Sequence, residues 1–174
     1  MLNIVMYQPE IPQNTGNVMR TCAAFHARLH LIEPLGFYLD EAHLRRAGMD
    51  YRDQIELHVW HDWQSFVKEN PGTYYFTTRY GKKSPDEFDY TKDDEIYYIF
   101  GRESTGIDKE ILKEHLDHCV RIPMAGEARC LNVSNTAAIC AYEVMKQEKY
   151  AGLSRHEVIK GEDFLETFRV DKGH

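Results

Sequence analysis

Nowhere does the chain run through about 18 consecutive apolar residues, and no apolar stretch follows a basic start; the sequence predicts neither a membrane span nor a signal peptide. It has no CxxC pair, and its four cysteines (Cys22, Cys119, Cys130, Cys140) show no close disulfide-style spacing. Reduced thiols in a cytoplasmic protein are therefore the expectation. No GxGxxG occurs, so a dinucleotide-binding Rossmann site lacks its fingerprint. FGRESTGI, at positions 100 to 107, lacks the Gly-Lys-Ser/Thr ending of a P-loop, and its Ser104 stands one place too far from Gly101 for GxSxG. An excess of positive charge is missing too. The formal net charge is -7, whereas phosphate binding leaves a basic footprint. Local clusters at Arg45, Arg46 and Arg52, and at Arg79, Lys82 and Lys83, keep nucleic acid open despite that total. His58 with His61, and His115 with His118 and Cys119, have HxxH-like spacing. A three-residue step on a strand points to opposite faces, and a charged helix end commonly carries surface histidines, so no metal site is expected.

What is present reads as one domain. With 43% hydrophobic and 28% charged residues in 174, the chain can bury a proper core and has little room for a second. Apolar runs alternate with helical spacing along its length. Strands are expected at Leu2 to Tyr7, Arg28 to Glu33, Glu56 to Trp60, Thr73 to Thr78, Glu95 to Phe100 and Cys119 to Met124. Helices are expected at Asn14 to Arg28, Asp40 to Ala47, Asp62 to Lys68 (capped by Asp62), Asp108 to His115 and Ser134 to Glu148. This alternation predicts an α/β fold, a mostly parallel sheet with helices on both faces. From Ser154 the chain is mostly charged and reads as a helix fragment with a loose tail.

In such sheets ligands bind beyond the carboxyl ends of the strands. Four loops there carry unusual chemistry: Gln8 to Asn17, Thr77 to Ser84, Gly101 to Ile107 and Pro123 to Ser134. In NTGNVMR, positions 14 to 20, Asn14 and Gly16 read as a helix-capping arrangement. Arg20 exceeds that role, since its planar fork suits a phosphate or carboxylate. In FGRESTGI, Ser104 and Thr105 read as turn residues, while Glu103 is wedged between glycines that let backbone approach a ligand. In RIPMAGEARCLNVSN, positions 121 to 135, Ser134 reads as the helix N-cap, with Asn132 and Asn135 able to complete the cap or to hold a substrate.

Taken in order, Asn14-Thr-Gly-Asn17-Val-Met-Arg20, Phe100-Gly-Arg-Glu103-Ser-Thr-Gly106, and Ile122-Pro-Met with Leu131-Asn-Val-Ser134-Asn135 resemble the three motifs of SPOUT-type RNA 2'-O-methyltransferases. The small, single-domain branch acting on nucleotide 34 of tRNA is the nearest likeness. The opening LNIVMYQPEIPQNTGNVMRTCA and the segment LRRAGMDY are similar to that branch as well. The resemblance covers about residues 1 to 152, leaving 153 to 174 as an extension. It implies a C-terminal trefoil knot, a homodimer, and S-adenosylmethionine held by backbone groups around Phe76, Thr77, Gly101, Ile122, Cys130 and Leu131. It implies 2'-O-methylation of cytidine or modified uridine at the wobble position of tRNA, leucine tRNAs in particular. Arg20, Glu103, Ser134 and Asn135 take the catalytic positions, and Asn14, Asn17, Arg45, Arg46 and Tyr142 the substrate-binding ones. Because a guanidinium stays protonated, Arg20 is expected to grip phosphate or stabilise a developing alkoxide, with Glu103 orienting it, and not to act as a base. A ribosomal RNA ribose as target, or a catalytically idle RNA- or cofactor-binding protein, remain alternatives.

Overall fold

The computed structural model describes residues 1–46 and 51–170. Six strands, β1 (Leu2–Tyr7), β2 (Arg28–Ile32), β3 (Leu57–Trp60), β4 (Thr73–Thr77), β5 (Ile96–Phe100) and β6 (Cys119–Val120), form one sheet in the order β3-β2-β1-β5-β4-β6. Every adjacent pair is parallel. β1 and β5 lie at the centre and are buried along their whole length. That is why LNIVMY and IYYIF are continuous apolar runs: both faces are covered, so no polar alternation is required.

The helices are α1 (Pro12–Phe25), α2 (Glu41–Arg46), α3 (Trp63–Glu69), α4 (Lys109–Lys113), α5 (Val133–Gln147) and α6 (Phe164–Thr167). On one face Val18, Met19 and Cys22 of α1 and Ala137, Cys140, Ala141, Val144 and Met145 of α5 pack on Ile4, Met6, Leu29, Leu31, Tyr98 and Phe100. On the other, Phe66 of α3 and Leu112 of α4 pack on Val5, Tyr7, Ile32, Phe76, Tyr97 and Ile99. The α/β expectation holds, with helices on both faces. Burial drives the Cys22 and Cys140 thiols up to about 12, so both stay protonated inside this core.

Several expected boundaries move. Helix α1 starts at Pro12, in the first turn where the missing N–H costs nothing. Asn14, Thr15 and Gly16 therefore lie inside the helix and buried, not before it as a cap. The strand expected through Met124 stops at Val120. There the outer edge bridges to Lys83, the Arg121 amide donates to the Lys83 carbonyl, and Pro123 cannot donate at all. The last helix is capped by Asn132, not Ser134: the Asn132 side chain accepts from the amides of Ser134 and Asn135. Asp62 caps α3 as expected, accepting from the Ser65 amide. The helix expected to Ala47 is observed to Arg46, and Ala47 lies outside the described residues.

A buried histidine ties the outer strands to the centre. His30 of β2 is 2% exposed. Its Nε2–H donates to Asn3 Oδ1 at 3.0 Å, and its Nδ1 accepts from Trp60 Nε1 at 3.0 Å. Asn3 in turn donates to Glu95 Oε2 and to the Ile96 carbonyl. Burial, with nearby His58 and Arg28, pushes the His30 imidazole down to about 4. Between pH 4 and the unfolded value near 6.5, the unfolded chain binds a proton that the folded chain does not, so stability rises with pH there and falls on acidification. Urea denaturation from pH 7 to pH 4 should show wild type losing on the order of 2–3 kcal/mol through this group, and a flatter profile over the same window for His30→Gln.

Candidate active site

The loops that leave β1, β4, β5 and β6 at their carboxyl ends enclose a cavity of about 550 Å³, within the roughly 300–1,000 Å³ usual for small-molecule sites. Ile107, Leu112, Val120, Ile122 and Leu131 supply apolar wall, and Thr77, Thr78, Asn14, Glu103 and Asn132 supply polar groups. Five of the six positions expected at a cofactor line it directly: Thr77, Gly101, Ile122, Cys130 and Leu131. Phe76 does not. Its ring is fully buried beneath, stacked on His115 at 4.6 Å between centroids. Gly101 is required sterically, because a Cβ there would stand 2.5 Å from the backbone carbon of Gly106; Gly106 itself has φ +71°. The two glycines let the turn after β5 fold back on itself, with reciprocal backbone hydrogen bonds between Arg102 and Gly106.

Two carboxylates cross between the β1 and β5 loops. Glu103 accepts from the amides of Glu10 (2.8 Å) and Ile11 (3.2 Å) and from Asn14 Nδ2 (3.2 Å). Ile11 is the N-cap of α1 and provides no side-chain cap of its own, so Glu103 supplies from 92 residues away the acceptor that an N-terminus needs. In the other direction, Glu10 accepts from the Ser104 amide and hydroxyl, and those two bonds hold its carboxyl below the usual range.

Asn14 continues the connection. Its Oδ1 accepts from Asn132 Nδ2 at 2.9 Å, and Asn132 Oδ1 accepts from the Ser134 amide, the Ser134 hydroxyl and the Asn135 amide. Glu103, Asn14 and Asn132 thus form one hydrogen-bonded line joining the starts of α1 and α5. Beside it, Arg102 donates to Gln8 Oε1 (2.8 Å), Thr105 Oγ1 (2.9 Å) and Asp108 Oδ1 (2.7 Å), while lying 5.1 Å over the Tyr7 ring. The Tyr7 hydroxyl donates to Asp108 at 2.6 Å. Burial first, and that bond second, push it up to about 12, so it remains a donor.

The structure brings together Asn14, Glu103, Thr77, Gly101, Ile122, Cys130 and Leu131, and sets the start of α5 with Ser134 and Asn135 next to them. Ser134 is buried with its hydroxyl on Asn132, whereas Asn135 is exposed. Arg20 is not a cavity residue: it is exposed on α1, its guanidinium 5.6 Å over the Tyr51 ring. Nor does Glu103 orient it, since the carboxylate faces the start of α1. Asn17 is exposed on the same helix. Arg45 and Arg46 lie on α2, the former paired with Glu41 at 2.6 Å. Tyr142, 52% exposed, accepts from the Tyr150 hydroxyl in a separate shallow groove. Among the described residues no group of His, Cys, Asp and Glu could hold a metal ion. Sequence reading missed Gln8, Glu10, Arg102 and Asp108, which have no periodic signature; the positive φ of Gln8 (+50°) cannot be seen in its residue type. Asn132 was visible as a possible cap, but its bond to Asn14 was not.

Comparison with known proteins places these features in context. The SpoU rRNA Methylase family matches residues 1–142. A relative from Geobacillus stearothermophilus that carries the name tRNA (cytidine(34)-2'-O)-methyltransferase is 48% identical over 155 residues, 88% of this chain and 99% of its own. A solved structure concerned with 2-OH methylation of C/U34 on tRNA superposes with a TM-score of 0.78 at 38% identity, covering 86% of this chain and 91% of the other. The fold is also that of the SpoU methyltransferase AviRb from Streptomyces viridochromogenes in complex with AdoMet. There the TM-score is 0.71 at 24% identity, over 86% of this chain and 58% of the other.

If the line of hydrogen bonds holds the loops as described, Asn132→Ala should lower unfolding free energy by about 1–2 kcal/mol, through loss of a cap and of Asn14's donor. Glu103→Ala should cost about as much through the uncapped start of α1. Asn132→Asp, which keeps the acceptor for α5, should recover part of the loss. Urea midpoints at fixed slope measure all three.

Proposed function

The chain belongs to the SpoU rRNA methylase family, and from that premise we propose that it transfers the methyl group of S-adenosylmethionine to the ribose 2'-hydroxyl of the wobble nucleotide 34 of tRNA, cytidine or modified uridine, leucine tRNAs included. The observation that carries this reading is the meeting of all three motif segments at one cavity, through Glu103, Asn14 and Asn132.

The cavity suits the cofactor. Its apolar wall of Ile107, Leu112, Val120, Ile122 and Leu131 can take an adenine, and the ends of β4, β5 and β6 present backbone groups beside it. When bound, S-adenosylmethionine supplies an electrophilic methyl group. The chain's part is to exclude water, hold the acceptor ribose in line and offset the charge that develops on its oxygen. Ser134 and Asn135, set by the Asn132 cap, position the nucleotide. Glu103 works as a positioning residue for α1 and, through Asn14, for α5. Arg20, always charged, grips the phosphate next to the acceptor or stabilises the alkoxide. Asn17, on the same exposed face, belongs to the same RNA contact.

Three further features extend the proposal. A second copy packs on the outward faces of α1 and α5, where Ile139 and Tyr142 are about half exposed, giving a homodimer with Arg45 and Arg46 as basic contacts toward the RNA. The segment 78–84 wraps from the β4 side of β6 to its other edge: Thr78, continuing β4, donates to the Val120 carbonyl, Lys83 bridges Val120 and accepts from the Arg121 amide, and a Cβ on Gly81 would meet the Val120 carbonyl carbon at 2.6 Å. That embrace supports a trefoil knot. Residues 1–152 form the methyltransferase domain with 153–174 as an extension. No described helix is long and apolar enough to cross a membrane, and the cytoplasm is the proposed location.

Bulk tRNA incubated with the protein and labelled S-adenosylmethionine should yield 2'-O-methylcytidine by nucleoside mass spectrometry, mapped to the wobble position. Arg20→Ala should cut that rate on the order of 100-fold or more, with cofactor affinity by calorimetry within about twofold of wild type; full activity of this variant would sink the assignment of Arg20. Ile139→Glu should turn a dimer into monomers in sedimentation velocity, because a charge cannot be buried unpaired at an interface.

A further inference from the structure

We propose that Tyr80, on the lip of the cavity with Arg79 and Arg121 beside it, is a stacking platform for a nucleobase next to the acceptor nucleotide, the two guanidiniums taking the adjoining phosphates. The proposal rests on the RNA methyltransferase reading and names a subsite within it.

Tyr80 is the only aromatic side chain among the described residues lining the cavity, and it is 64% exposed. A tyrosine that served the fold would be buried, as Tyr75, Tyr90, Tyr97 and Tyr98 are. Its backbone, by contrast, is closely held. The Tyr80 amide donates to Thr78 Oγ1 (3.3 Å) and the Gly81 amide to the Thr78 carbonyl (3.2 Å). Thr78 donates to the Val120 carbonyl, and Gly81 packs against the backbone of Cys119 to Arg121 too closely to admit any side chain. From across that contact, Arg121 Nη1 donates to the Arg79 carbonyl at 2.5 Å. A large π-face is thus presented to solvent from a turn fixed on both sides. Such pre-organisation is what makes an aromatic contact effective in binding.

Charge selects the occupant. Arg79 lies over the Tyr80 ring at 5.8 Å, exposed Lys82 follows in the same turn, and Arg121 lines the same wall. Glu103, the carboxylate that lines the cavity among the described residues, is engaged with the start of α1, and Asp108, after the same loop, with Arg102 and Tyr7. Asp86 and Glu87, on the following turn, bond to Ser84. In a chain of net charge -7, this lip is a local positive patch with an exposed aromatic at its centre. That pairing matches single-stranded RNA, whose bases stack on aromatic rings with little regard to sequence while phosphates meet cations. Duplex RNA offers phosphates but no free base faces.

The test uses the full chain and an anticodon stem-loop RNA with cytidine at the wobble position. Tyr80→Ala should raise the Kd for this RNA by roughly 5- to 100-fold, the range of one lost base–aromatic stack. Tyr80→Phe should restore it to within about twofold, and the Kd for S-adenosylmethionine should hold in both variants. Arg79→Ala should reduce the slope of log K against log salt by about one phosphate contact. A single-stranded oligonucleotide should compete for the site, and a blunt duplex of equal charge should not. The platform is overturned if Tyr80→Ala binds the stem-loop as wild type does, if Phe behaves as Ala does, if cofactor affinity falls in step, or if the duplex competes equally. Wild type that methylates the stem-loop while Tyr80→Ala matches its affinity defeats the platform alone. Wild type that neither binds nor methylates it defeats the methyltransferase reading and the platform with it.

Discussion

The site depends on a carboxylate that caps a helix to which it does not belong. Helix α1 begins without a side-chain cap of its own, and the amides that lead into it, those of Glu10 and of the N-cap Ile11, need an acceptor from elsewhere. Glu103 meets them from the loop after β5, and the same carboxylate receives Asn14 from within the helix. Because Asn14 also receives Asn132, which caps α5, one connected set of hydrogen bonds fixes two helix starts and two loops. Charge-assisted bonds to amides at a helix start are among the stronger ones available to a protein. A network in which each member is satisfied holds its geometry more firmly than separate pairs would.

This arrangement explains how a small chain builds a ligand site from loops. The parallel sheet delivers the ends of β1, β4, β5 and β6 to one side, as its topology demands. Loops alone would be mobile. Here the turn after β5 is closed by Gly101 against Gly106 and clamped to Gln8, Thr105 and Asp108 by Arg102. The turn after β4 is pressed against β6 at Gly81. The cavity wall therefore has the precision of the sheet although most of it is not sheet. The acidic total charge ceases to conflict with an RNA substrate, because Glu103 and Asp108 beside the cavity are engaged in holding loops, while among the described residues no carboxylate pairs with Arg79 or Arg121 at its lip.

A residue type can be legible while its task is not. Glu103, Ser134 and Asn135 stood out in the sequence, yet Ser134 does not cap its helix and Glu103 does not touch Arg20. The first expectation followed from nearness along the chain, a serine just before a helical pattern; the second came with the family resemblance, which sets the two residues in motifs far apart in the chain. The cap instead falls to Asn132, one residue earlier than the observed helix. NTG, read as a helix-capping arrangement, is inside the helix, because Pro12 starts it two residues sooner.

The amino-acid sequence by itself determined the alternation of strands and helices, the parallel sheet covered on both faces, the four loops where the site lies, and the family likeness carried by three motifs. These properties are local or periodic: burial of a strand on both faces, or of one helix stripe, is written in the spacing of apolar residues. Only the tertiary structure decided which polar groups meet. Glu103 reaches Ile11 across 92 residues, Asn132 reaches Asn14 across 118, and Arg102 reaches Gln8 across 94. Hydrogen bonds of this kind depend on distance and direction in space, within a few tenths of an ångström. No periodicity of the chain encodes them, so they come into being only when the strand ends are brought side by side.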